Sequence, residues 1–97
     1  MATLSFSSRA VADLERLTDF LMESDPVAAS DTVALISEAI DLLARHPYIG
    51  QSVRESLREL VISRGKTGYV ALYSVERVFD VVLILAIRHQ REAGYGS

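Results

Sequence analysis

Residues 79–87 read Phe-Asp-Val-Val-Leu-Ile-Leu-Ala-Ile, and Arg88-His89-Gln90-Arg91 follow at once. This stretch decides the fold. Its run of β-branched and aliphatic residues is too short for a typical helix and suits a buried strand. Working backward, Glu76-Arg77 opens a tight turn, and Tyr69 to Val75 forms an aromatic, β-branched strand before it. Arg64-Gly65-Lys66-Thr67-Gly68 is a turn with two glycines. Leu57 to Arg64 is the strand leading into that turn, and Gln51 to Ser56 is polar with no assigned element.

The front half has a different period. Ala10, Val11, Leu14, Leu17, Phe20 and Leu21 recur at helical spacing, with Asp13, Glu15, Arg16, Asp19 and Glu23 mostly on the other side. Ser7 or Ser8 offers an N-cap, and Thr3 to Phe6 forms a short strand before it. Asp25-Pro26 caps and starts a second helix, because proline's missing N–H is unpaired anyway at the first helical position. Ala29, Val33, Ile36, Ile40 and Leu43 make its stripe, and Pro47 stops it near Arg45-His46. So short a connection folds the helices into an antiparallel hairpin. The order β-α-α-β-β-β predicts an α+β domain over 1–97, with the hairpin packed on a small, mostly antiparallel sheet.

Composition bounds the function. The chain has 97 residues, 49% hydrophobic and 24% charged, which fits one ordinary globular domain. With no cysteine it has neither disulfides nor thiolate chemistry, which suits a reducing cytoplasm. The N-terminus does not resemble a signal peptide, and the longest apolar run, Val81 to Ile87, is far too short to span a bilayer. Net charge is −3: residues 1–50 hold three Arg against eight acids, residues 51–97 seven Lys/Arg against five. No metal-ligand spacing, phosphate loop or nucleophile elbow is present, so no cofactor or metal is expected.

Few residues look chemical. His46, at the end of the second helix, favours its last carbonyls. His89, beyond the last strand and beside Arg88 and Arg91, is either a general acid or base or a polar strand end. Tyr69 and Tyr73 share one strand face and suit the core. Tyr95, in a polar, Gly-flanked tail, either folds back on the sheet or recognises a partner. Arg58 and Arg64 have the same parity on their strand, and with Arg54, Lys66, Arg88 and Arg91 form either a solvated face or a binding surface.

The loop His46-Pro47-Tyr48-Ile49-Gly50, the LREL of 57–60, the GYVALYSV of 68–75 and the VVLILAIRHQREAGY of 81–95 together resemble the RelE/ParE superfamily of bacterial type II toxins. The resemblance spans essentially the whole chain. It implies the small RelE-like domain and a cognate antitoxin whose C-terminal segment wraps the toxin. In the RelE branch, cations along the second strand and after the Gly-Tyr pair would stabilise charge at a scissile phosphate. Here Val70 follows Gly68-Tyr69, and only Arg58 and Arg64 are basic on the strand. The pattern is therefore closer to the ParE branch, whose characterised members inhibit DNA gyrase by protein contact.

That reading implies a ParD-like antitoxin with a ribbon-helix-helix N-terminus, contact with operator DNA only through it, and no membrane partner. Arg58, Arg64, Arg88, His89, Arg91 and Tyr95 form the expected functional surface. No residue is firmly catalytic. The alternatives are a ribosome-dependent mRNA interferase working through His89, Arg88, Arg91 and Tyr95, and a degenerate, non-toxic member. An antitoxin helix would lie along the hairpin and sheet edge, with Met22, Leu35 and Leu42 as candidate contacts.

Overall fold

A computed structural model describes residues 1–64 and 67–90, with backbone alone for 63, 64 and 67. The elements are β1 (Thr3–Phe6), α1 (Ser8–Ser24), α2 (Pro26–Arg45), β2 (Gln51–Arg54), β3 (Leu57–Arg64), β4 (Thr67–Glu76) and β5 (Val81–His89). The five strands form one sheet in the order β1-β5-β4-β3-β2. Among the described strands, β1 and β5 pair in parallel and the other neighbouring pairs are antiparallel. The α+β helical hairpin on a mostly antiparallel sheet is as the sequence predicts. The expected turn at Gly65-Lys66 lies outside the described residues.

The helix boundaries follow the capping chemistry. Ser7 accepts from the Ala10 amide at 3.0 Å, and Asp25 accepts from the Ala28 amide at 3.1 Å, one residue before Pro26. The His46 amide closes α2 on the Leu42 carbonyl at 2.9 Å. Ala10, Leu17, Ile36, Ile40 and Leu43 then pack against Ile62, Tyr69, Ala71, Tyr73, Val82, Ile84 and Ile87 of the sheet.

Three expectations need correction. Gln51–Arg54 is an edge strand rather than an unassigned stretch. It is joined to β3 through Glu55, whose φ of 48° replaces the usual Gly or Asn turn residue and hides the hairpin from a composition-based reading. The last turn extends to Asp80, at φ 54°, so β5 begins at Val81 rather than Phe79. The α1 stripe is also rotated. Val11 and Phe20 are exposed, while Asp13, expected outside, is buried. Asp13 belongs to the Ala10–Asp13–Leu17 spacing of the inner face.

Candidate functional site

The candidate site sits where β5 ends, and three layers of structure place it. The first is a β-bulge. Tyr73 pairs with Ile84 but Leu72 pairs with Ala86, so Leu85 is an extra residue in β5. In an unbroken strand, Ile84, Ala86 and Arg88 would share a face. The extra residue reverses this, and Ile87 and His89 follow Ile84 onto the helix-covered side. Arg88 faces outward in a row with Val70 and Val61, whereas His89 lies in a row with Tyr69 and Ile62. The two neighbouring residues thus present opposite faces of the sheet.

The second layer is the start of α1, which secures the bulge. β1 pairs with β5 only as far as Phe6–Ile84, leaving the next part of that edge uncovered. Ser7 fills the gap: its amide donates to the Ile84 carbonyl at 2.9 Å and its hydroxyl to the Leu85 carbonyl at 2.9 Å. One turn into α1, the Asp13 carboxylate accepts from the Ile87 amide at 2.9 Å, in a buried position. Arg9 and Arg16 flank that carboxylate at 3.8 Å each. A single carboxylate therefore completes the backbone pairing of the strand carrying Arg88 and His89.

The third layer is local. The His89 ring stands edge-on to the Tyr69 ring, with centroids 5.2 Å apart and planes at 86°. Arg88 turns its guanidinium back onto the chain, donating to the His89 and Gln90 carbonyls at 3.3 and 3.2 Å. Val70, the residue after Gly68-Tyr69, is 5% exposed.

Arg58 lies elsewhere. It shares the parity of Arg64, but six residues of strand put them about 20 Å apart. Its guanidinium donates to the Tyr48 and Gly50 carbonyls at 3.2 and 2.7 Å and stacks over the Tyr48 ring at 5.0 Å. Beside it, the Tyr73 hydroxyl donates to the Pro47 carbonyl at 2.8 Å and accepts from the Gly50 amide at 2.9 Å. Together they pin the loop from His46 to Gly50 onto the sheet. Burial pushes the Tyr73 phenol above its ordinary pKa, against the opposing pull of the Gly50 amide and Arg58. A Cβ on Gly50 would lie 2.5 Å from the Tyr73 hydroxyl and 2.7 Å from the Glu59 carbonyl, which explains the glycine.

Of the six residues expected to form a functional surface, Arg88 and His89 adjoin on opposite faces, and Arg58 is engaged in the loop. Arg64 is described only in its backbone, at the end of β3 paired with Thr67. Arg91 and Tyr95 lie outside the described residues. The sequence reading missed Ser7 and Asp13 as positioning residues. Their signal was present in the spacing of Asp13 within the inner stripe of α1. No group of three or more His, Asp or Glu among the described residues could hold a metal ion, and no described helix is long and apolar enough to cross a membrane.

The family model of the ParE toxin of the type II toxin–antitoxin system parDE matches residues 4–94. The chain belongs to the ParE toxin family. Its relatives extend the assignment to the RelE/ParE superfamily of type II toxins. This ParE-family chain is 36% identical over 92 residues to Toxin RelE3 of Caulobacter vibrioides, covering 95% of this chain and 98% of that protein. It is 39% identical over 71 residues to Toxin RelE1 of the same organism, covering 73% and 76%. The chromosomal ParDE system from P. aeruginosa contains a similar structure, with TM-score 0.74 and 25% identity over 92% of this chain and 96% of that one. The E. coli RelBE toxin–antitoxin complex contains the same fold, with TM-score 0.64 and 16% identity over 96% and 100%.

Proposed function

We propose that this ParE-family toxin inhibits DNA gyrase through protein contact and is held silent in the cytoplasm by a ParD-like antitoxin. The observation that carries the reading is the arrangement at the end of β5. A phosphate-cleaving site needs cations converging on one point. Among the described residues, Val70 is buried and apolar, Arg58 is bound to the carbonyls of the 46–50 loop, and Arg88 and His89 face opposite sides of the sheet. That geometry favours a surface acting by contact over one acting by catalysis.

The antitoxin reading is supported by apolar surface that the fold leaves unused. Phe20, Met22, Val27 and Leu42 of the hairpin are exposed, and Val61 on the outer face of the sheet is 54% exposed. An amphipathic partner segment buries such side chains. Leu35, also expected as a contact, packs in part against the core and is only partly buried.

The relatives named RelE favour a second reading, a ribosome-dependent mRNA interferase using His89. A translating extract containing intact ribosomes separates the two. On the gyrase reading, added toxin leaves the message uncut. Cleavage that disappears with His89→Ala would establish the interferase instead.

A further inference from the structure

The turn between β4 and β5 carries two side chains for which the fold has no use. Val78 is 83% exposed and Phe79 is 77% exposed, at the tip of a four-residue turn. Gly, Asn, Asp and Ser are the residues that suit such a place. The tip is nonetheless firmly built. β4 and β5 remain paired up to Glu76–Val81. The Glu76 carboxylate accepts from the Val78 amide at 2.8 Å, and the Asp80 carbonyl accepts from the Thr3 amide at 2.8 Å. An exposed aromatic on a pre-ordered support loses little freedom on docking, which is the property of an interface anchor.

We propose that the Arg77–Asp80 tip is the toxin's anchor on its target: Val78 and Phe79 insert into an apolar pocket of a folded protein. This rests on the reading that the toxin acts by protein contact. Two adjacent side chains at a turn form a knob, not the long stripe or groove that an amphipathic antitoxin helix requires. Glu76 and Asp80 outweigh Arg77, so the matching pocket carries a net positive rim. The same charges oppose an anionic membrane, which holds proteins through broader apolar faces flanked by cations. The tip also stands apart from the other candidate surface, because the nine residues of β5 separate it from His89 by about 26 Å.

The test uses the full chain with Val78→Ser and Phe79→Ser together, read by growth arrest on induction, by binding to purified gyrase and by thermal melting. The variant should melt within a few degrees of wild type, cause no arrest and bind gyrase at least about thirtyfold more weakly, as expected for a lost hot spot. If the double variant misfolds, Val78→Lys alone carries the test, with the same loss of arrest expected. A folded variant that arrests growth as wild type does would overturn the proposal. So would wild-type binding to phosphatidylglycerol vesicles that the variant loses. If wild type arrests growth without touching gyrase, the gyrase reading fails while the anchor is still judged by the arrest. A wild-type chain that arrests nothing would overturn both.

Discussion

Replacing Tyr73 with Phe removes one oxygen from the buried joint between the 46–50 loop and the sheet. The ring stays, so no cavity opens. What goes is the bond to the Pro47 carbonyl and the acceptor of the Gly50 amide. Gly50 is buried, and its N–H is left without that partner. An unsatisfied buried donor costs about 1–3 kcal/mol, and the second bond adds about 1 kcal/mol. The expected loss is about 2–4 kcal/mol, a large part of the roughly 5–15 kcal/mol that holds a domain together. In a chain of this length it lowers Tm by roughly 8–30 °C. Urea unfolding should show a lower midpoint with an unchanged slope, since the buried surface is the same.

The substitution also removes a pH dependence. Burial raises the Tyr73 pKa, so the folded chain keeps that proton at pH values where the unfolded chain has released it. The linked stability is complete below about pH 10 and is lost as pH rises through the raised folded value. Wild type should lose stability over that alkaline range more steeply than Tyr73→Phe. A cost below about 0.5 kcal/mol, with equal alkaline slopes, would refute the claim that this hydroxyl fastens the loop.

Two other substitutions probe the supports of the fold. Asp13→Ala should cost about 1–3 kcal/mol by leaving the Ile87 amide unpaired, whereas Asp13→Asn keeps an acceptor and should cost less; denaturation together with amide exchange at Ile87 reads both. Gly50→Ala should cost about 1–3 kcal/mol by overpacking, and adding Tyr73→Phe should relieve only the hydroxyl contact, because the Glu59 backbone oxygen remains; a double-mutant cycle measures that coupling.

The elements were largely legible because each carries a local signal. Asp25-Pro26 marks the second helix by a cap and a residue that needs no N–H, and both act there as expected. The aliphatic run after Phe79 marks β5, and a resemblance spanning the chain supplied the family. The candidate site was less legible because its geometry depends on pairing. The bulge at Leu85 is set by β5 meeting β4 and the first turn of α1, and nothing in the strand's own residues announces it. That one residue reverses which face Arg88 and His89 occupy. Arg58 likewise appeared to be a free cation on a strand, and only the folded loop shows which carbonyls it binds. Val70 was legible as the apolar residue after Gly68-Tyr69, but its burial was not, because it lies on the face of β4 opposite Tyr69 and Tyr73.

The central claim, inhibition by contact, is tested most directly by a supercoiling titration with purified gyrase, relaxed plasmid and ATP. Supercoiling should fall as toxin is added, His89→Ala should inhibit as well as wild type, and Val78→Ser/Phe79→Ser should not inhibit. Full supercoiling at a molar excess of folded wild-type toxin would contradict that claim.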